Sequence, residues 1–167
     1  MKEIVPKTPF LVRLQRLITI VLAISVLMIV VTQVLLRYVF KAPLMGIEEL
    51  LFFPTIWLYM LGGANASQER NHIECGILSL YITKPLSVLK FNIVKNTVSV
   101  VVGVWLVYWA YWLFTYSLNL WKTSDLLYIP TFFMESAPFI GLVLMVFYAI
   151  LQLVDSVRSY LGERWKK

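Results

Sequence analysis

The sequence has little of the chemistry that supports disulfides, metal sites or a water-soluble fold. It contains one cysteine, Cys75, and one histidine, His72, in 167 residues. A single cysteine excludes an intramolecular disulfide, and one Cys with one His cannot form the clustered ligands of a zinc site. Charged residues make up 14% of the chain and hydrophobic residues 60%, whereas soluble domains contain about 25% charged residues. We therefore expect a membrane protein with no metal or cofactor of its own.

Four segments lack charged residues altogether and are long enough to cross a membrane. They cover residues 17–36, 50–67, 97–120 and 137–154. About 20 mostly apolar residues span the hydrocarbon core as a helix, since lipid offers the backbone no hydrogen-bond partners. The segments lack the alternation of barrel strands and are about twice as long. They predict an all-α fold: one four-helix transmembrane bundle over residues 1–167.

The first apolar segment follows four basic residues, as the core of a signal peptide also does. A signal core spans about 7–15 residues and precedes a small-residue cleavage site. The uncharged run from Leu17 to Leu36 is longer, and no such site follows it. This pattern favours a retained anchor helix.

The basic residues are distributed unequally between the two sides of the membrane. The tails and the loop between the second and third spans contain twelve Lys and Arg residues; Arg37, Lys41 and Lys122 are the three on the other side. Cytoplasmic segments carry the excess of Lys and Arg. Both termini are therefore predicted to be cytoplasmic, as an even number of spans also requires.

The long cytoplasmic loop contains a mixed apolar and polar stretch over residues 73–82, which ends before Lys84 and Pro85. Such a stretch suits a short helix lying in the membrane interface. An ordinary loop with scattered apolar residues is the alternative.

No ionisable residue lies inside the predicted spans, so a proton relay or a charged substrate site within this chain lacks its components. Glu48 and Glu49 precede the second span, and Arg37 ends the first span on the same side. Carboxylates at a helix N-terminus are stabilising by about 0.3–1 kcal/mol each, which explains them with or without pairing to Arg37. The alternative is a docking point for a partner on the outer face.

Small residues occupy the inner end of the second span, where Gly62 and Ala66, and Gly63 and Ser67, are spaced four apart. This spacing allows two helix backbones to approach closely. The contact could be within the bundle or with another subunit.

Aromatic residues form a stripe along the third span at spacings of three and four. Its members are Trp105, Tyr108, Trp109, Trp112 and Tyr116. Eleven residues cover about 16 Å of depth, more than an interfacial belt. The stripe predicts a broad face toward lipid or a partner protein.

Prolines mark two predicted helix features. Pro54 should kink or loosen the second helix unless that helix begins there. Ser136 and Pro138 are typical of an N-cap and first-turn proline that open the fourth helix.

Several local patterns, in this order on a four-span chain, resemble the small membrane subunit of tripartite ATP-independent periplasmic (TRAP) transporters, the DctQ-like family. They are Arg37 to Phe40, Pro43, Glu48, Glu49, Leu61 to Ala66, His72, Ile73, Ile129, Pro130 and Pro138. Two positions differ from the family pattern. Met45 and Gly46 replace a common Trp before the paired Glu, and Gly76 replaces a common acidic residue.

The resemblance implies a non-enzymatic subunit of a sodium-driven transporter in the bacterial inner membrane, with organic acids as substrates. It also implies two partners: a large membrane subunit with the substrate and sodium sites, and a periplasmic binding protein. This chain would brace the first and help to dock the second. The residues we expect at these interfaces are Arg37, Glu48, Glu49, Gly62, Gly63, Ala66, Trp105, Trp109 and Trp112.

Two functions of other classes compete with this hypothesis. A self-contained homo-oligomeric carrier or channel would need a polar line through the spans, where only scattered Thr and Ser, Asn65 and Gln33 occur. A membrane enzyme or redox protein should display paired His ligands or a catalytic constellation, which one His and one Cys do not supply.

Overall fold

The computed structural model describes residues 9–42, 44–69 and 85–164. Within these ranges the chain is helical, and its β-structure is one isolated bridge between Thr123 and Pro130. The helices are α1 (Pro9–Val34), α2 (Ile47–Gln68), α3 (Pro85–Leu120) and α4 (Phe132–Arg164); a π-helical turn (Leu35–Val39) extends α1. The all-α prediction is confirmed. The interfacial helix predicted over residues 73–82 lies outside the described residues.

Three of the described helices are long and apolar enough to cross a membrane, over Phe10–Val39, Ser87–Leu120 and Phe132–Gly162. α2 has 22 residues, or about 33 Å at 1.5 Å per residue, which matches the hydrocarbon thickness. α2 is not among these three helices, and it contains Pro54, two glycines and Asn65. Its crossing of the membrane stays a prediction.

α2 begins at Ile47 and continues through Pro54 without a break in the helix. Pro54 therefore does not mark the helix start. A start at Pro54 was one of the two possibilities predicted from the sequence, and a kinked or loosened helix was the other. Gly46 precedes the helix with φ of 97°, a left-handed conformation that favours glycine. A Cβ at Gly46 would also lie 3.3 Å from Leu127 Cδ2, so a larger residue would disturb the contact with the loop before α4.

The predicted start of α4 is wrong by about one turn. The helix begins at Phe132, and both Ser136 and Pro138 lie inside it. Its first free amides are satisfied by loop carbonyls, since Met134 N donates to Thr131 O at 2.9 Å and Phe133 N to Pro130 O at 3.4 Å. Ser136 Oγ donates to Phe133 O at 3.0 Å instead of capping the helix.

The four helices form a layer and not a closed bundle. α1 packs on α2, α2 on α4, and α4 on α3, so the order across the layer differs from the order in the chain. Few of the described side chains are buried, and the buried apolar ones among them are Leu61, Ala64, Ala110, Ala137 and Tyr148. The prediction of a bundle is corrected in this respect. Because the helices stand nearly in a row, both broad faces of the layer remain available to lipid or protein.

The centre of the layer is the close contact between α2 and α4. A Cβ added at Gly141 would lie 2.6 Å from Met60 Cβ and 3.3 Å from Met60 backbone atoms. A Cβ at Gly63 would lie 2.3 Å from Met145 Cε, the flexible end of a side chain. The absence of a side chain at Gly141 therefore sets the separation of the two helices.

We predict that Gly141→Ala destabilises the protein. The added methyl must displace the α2 backbone, and overpacking of this kind costs about 1–3 kcal/mol, which exceeds the gain of up to about 1 kcal/mol from alanine in a helix. Thermal unfolding in detergent measures the change. Gly62→Ala is the matched control, because nothing lies within 4 Å of its added Cβ; equal midpoints for the two variants would contradict the prediction.

Candidate functional site

Glu49 connects the start of α2 to the loop between α3 and α4. Its carboxylate accepts hydrogen bonds from Ser124 Oγ, from Leu126 N at 3.2 Å and from Leu127 N at 3.3 Å. The Ser124 hydroxyl and the two backbone amides hold the pKa of the Glu49 carboxyl below its ordinary value of 4.5, although partial desolvation opposes them. Glu49, which precedes the predicted span, thus fixes a loop far away in sequence.

The loop that Glu49 holds is itself ordered by backbone hydrogen bonds. Thr131 N donates to Lys122 O and Ser124 N donates to Ile129 O, both at 2.9 Å. Tyr128 has φ of 53°, so the chain makes a tight turn there. We call Glu48, Glu49 and this loop, residues 121–131, the Glu49 end of the layer.

Glu48 and Arg37 lie beside this loop, but the structure gives them partners other than each other. Glu48 Oε1 accepts from Gln33 Nε2 at 3.2 Å, and the Arg37 guanidinium lies 5.8 Å from the centre of the Tyr38 ring. No salt bridge joins Arg37 to either carboxylate in the described parts of the chain. The pairing considered from the sequence is therefore not formed.

Arg37, Glu48 and Glu49 nevertheless line one open groove of about 620 Å³. Its apolar side includes Met45, 87% exposed, and Leu126, 53% exposed. Exposed apolar side chains rimmed by charged groups are typical of a surface that binds a protein. This groove is the candidate site at the Glu49 end.

The small residues of α2 divide between different neighbours. Gly63 and Ser67 face α4, where Ser67 Oγ donates to Met145 O at 3.4 Å. Asn65 faces α1 and donates to Thr19 Oγ1 at 2.9 Å. Gly62 faces open space, and Ala66 is half-buried. One of the two predicted pairs thus packs within the chain, and Gly62 is left as the position at which another subunit could approach.

The aromatic stripe of α3 is exposed along its length. The exposed fractions of Trp105, Trp109 and Trp112 are 63%, 58% and 62%, and those of Tyr108 and Tyr116 also exceed half. α4 is the helix on which α3 packs. The stripe is therefore available to lipid or to a partner, the two alternatives left by the sequence.

Polar contacts at the opposite end of the layer were missed from the sequence. Arg16 and Glu69 form a salt bridge at 2.7 Å that joins the start of α1 to the end of α2. Asn96 on α3 donates to Ser156 Oγ on α4 at 2.8 Å. We call this the Arg16 end of the layer.

A third missed contact joins α1 and α4, which are not neighbours in the layer. The hydroxyl of Tyr148 on α4 donates to Gln15 Oε1 on α1 at 3.0 Å. Gln15 stands next to Arg16 and Asn96 next to Lys95, so neither was distinguishable from the charged residues that flank the predicted spans, and sequence could not assign their partners.

Metal-binding groups are not concentrated anywhere in the described ranges, where no three His, Cys, Asp or Glu residues come together. His72 and Cys75 lie outside those ranges.

We predict that Glu49→Gln releases the loop. An uncharged amide accepts weaker hydrogen bonds than a carboxylate, so the Leu126 and Leu127 amides should lose protection from hydrogen exchange at pH 7. Glu48→Gln is the matched control, because Glu48 contacts Gln33 and not the loop. Equal protection in the two variants would contradict the role of Glu49.

The same contact should depend on pH. Because folding lowers the pKa of Glu49, its stabilisation is complete above pH 4.5 and is lost as pH falls through the lowered pKa. Protection factors of the Leu126 and Leu127 amides, corrected for intrinsic exchange rates, should decrease over that range in the native chain and stay constant in Glu49→Gln.

Residues 26–159 match the family model described as tripartite ATP-independent periplasmic transporters, DctQ component. A search of curated proteins found no match. The family match covers α2 and α3 completely, most of α4 and the last nine residues of α1, so the resemblance inferred from the sequence is confirmed. The chain belongs to the DctQ family and is the small membrane subunit of a TRAP transporter.

Proposed function

We propose that this chain braces the large membrane subunit of a sodium-driven TRAP transporter for an organic acid. The layer shape is the observation that carries the proposal, because four helices in a row bury little of their own apolar surface and present two broad faces. Such a layer suits a rigid support for a partner that moves. In this proposal α2 also crosses the membrane, both termini are cytoplasmic, and the membrane is the bacterial inner membrane.

The transport chemistry is assigned to the partner. The predicted spans carry no ionisable side chain, and a charged group in a span is the usual sign of an ion or proton pathway. We therefore place the substrate and sodium sites in the large subunit and none on this chain. The chain performs no catalysis in this proposal.

Two surfaces are proposed for the partners. The exposed stripe of Trp105, Trp109 and Trp112, with Gly62 and Ala66, faces the large subunit. The groove at the Glu49 end, with Arg37 and Glu48 on its rim, contributes to docking of the periplasmic binding protein. Glu49 supports that groove by fixing the loop, and Gly63 supports the layer by its contact with Met145.

Co-expression of a tagged chain with its neighbouring genes tests the large-subunit interface. We expect a larger membrane protein to be recovered in equal amount in mild detergent. Trp109→Ala combined with Trp112→Ala should reduce that recovery, because buried Trp residues are frequent binding hot spots. Leu27→Ala with Met28→Ala on α1 is the control pair of similar exposure, at 62% and 61%.

Two results would contradict this assignment. Unchanged recovery with the tryptophan variant would mean that the stripe faces lipid. Recovery of this chain alone, as an oligomer that moves solute into liposomes, would favour the self-contained carrier.

Uptake assays with purified binding protein test the groove. Arg37→Gln should raise the concentration of binding protein needed for half-maximal uptake by about threefold to tenfold, since a rim charge acts mainly on association. Lys41→Gln is the control, because Lys41 is exposed on the same side but does not line the groove. Recovery of the large subunit should be unchanged in both variants. Equal uptake curves for the two variants would exclude a docking role for Arg37.

A further inference from the structure

Three residues other than glycine have a left-handed backbone in the described ranges. They are Lys41, Trp121 and Tyr128, with φ of 50°, 43° and 53°. This conformation brings Cβ close to the following carbonyl oxygen, so it is unfavourable for a residue with a side chain and rare for a bulky one. Such residues are concentrated at functional sites. All three lie in the connections at the same end of the layer.

The side chains of the two aromatic members differ in their contacts. Trp121 stacks on Phe132 with ring centres 6.0 Å apart, and this packing offsets its unfavourable backbone. Tyr128 is 76% exposed. Within the described ranges its ring stacks on no other ring and its hydroxyl has no hydrogen-bond partner. The chain therefore gains no internal contact from the side chain of Tyr128.

The position of Tyr128 is one that normally takes glycine. Tyr128 N donates to Ser124 O at 3.2 Å, which closes a single helical turn that ends in a left-handed residue. Glycine or asparagine is usual at such an end, and the chain does use Gly46 for its left-handed residue before α2. Tyrosine is thus unfavourable for the backbone and unused by the fold. Its side chain is suited to a contact outside the chain.

The loop places Tyr128 beside the groove at the Glu49 end. Glu49 accepts from Leu126 N and Leu127 N, which fixes the loop against the start of α2. Leu126, two residues before Tyr128, lines the groove to which we assign docking of the binding protein. A backbone that is already fixed loses less conformational freedom on binding. Tyr128 thus extends the proposed docking surface on a prearranged loop.

We propose that Tyr128 is a contact residue for the periplasmic binding protein, with its ring in an apolar pocket of that partner and its hydroxyl in a hydrogen bond. Tyrosine combines a large apolar ring with a polar tip and is enriched among interface hot spots. The membrane interface also attracts tyrosine, but a lipid contact does not require a fixed loop. The proposal rests on the proposed function, because it names a residue for the docking step.

Photo-crosslinking tests the contact directly. Tyr128→p-benzoylphenylalanine places a photoreactive ring on the loop, and the tagged chain is purified in mild detergent together with the large subunit. Irradiation in the presence of the purified binding protein should crosslink that protein to this chain. The same substitution at Phe147, which is 51% exposed within the predicted fourth span, should give no such crosslink.

Three substitutions separate the side chain from the backbone. Tyr128→Asn removes the ring and suits the left-handed conformation. It should raise the concentration of binding protein for half-maximal uptake by about tenfold to thirtyfold, as loss of a hot spot does, without lowering the thermal midpoint. Tyr128→Phe keeps the ring and should raise that concentration about threefold, the effect of one hydrogen bond. Lys41→Asn is the control, because Lys41 has the same backbone conformation outside the loop, and it should leave the concentration unchanged.

Three outcomes would overturn the proposal. Equal crosslinking from positions 128 and 147, or an unchanged half-maximal concentration in Tyr128→Asn, would exclude the contact. Crosslinks to lipid alone would assign Tyr128 to the membrane interface. A thermal midpoint lowered by Tyr128→Asn would make the residue structural. Absence of the large subunit from the purified sample would contradict the transporter role itself, whereas its presence without a crosslink would overturn only the contact at Tyr128.

Discussion

The packing of α2 against α4 is the contact on which the arrangement of the chain depends. α1 packs on α2 and α3 on α4, so the two halves of the layer are held together where α2 and α4 meet. Gly141 permits Met60 to approach at that point, and Gly63 accommodates Met145. Lipid tails are as apolar as leucine, so helices in a membrane associate through close packing and hydrogen bonds and not through exclusion of water. Small residues at this one contact therefore have a large effect on the whole layer.

Hydrogen bonds fix the two ends of the layer, where water is present and helix termini need partners. Glu49 binds the loop before α4, and Arg16 binds Glu69 at the other end. The tryptophan Trp57 adds a link, because its Nε1 donates to Phe133 O at 2.8 Å near the start of α4. Polar contacts near the ends thus fix the helices relative to one another along their axes, while the faces between the two ends are mainly apolar. The proposed bracing role requires this combination of fixed ends and uncommitted faces.

The sequence predicted the helices well because a segment that crosses a membrane must be both apolar and helical. All four predicted spans fall inside observed helices. It predicted helix ends less well. Ser136 and Pro138 formed a typical start signal, yet the carbonyls of Pro130 and Thr131 supply earlier partners for the free amides of α4. Such partners are brought close only when the loop has folded.

Tertiary partners were the other part that the sequence could not supply. Glu48 and Glu49 were both singled out, but adjacent identical residues gave no indication that Gln33 would bind one and Ser124 the other. The neighbours of Gly62 and Gly63 were equally undetermined, because spacing shows which residues share a helix face and not what that face meets. The order of helices across the layer depends on all these contacts together.

The π-helical turn at the end of α1 adds one residue to the ordinary helical repeat. Phe40 N donates to Leu35 O at 3.1 Å, five residues back instead of four. One extra residue shifts the following side chains by about 100° around the axis, so Arg37 lines the groove while Tyr38 and Phe40 point outward at 70% and 68% exposure. The turn consequently separates two helical registers: the residues of α1 before it can keep the register that suits their packing on α2, and the residues after it can keep the register that places Arg37 in the groove.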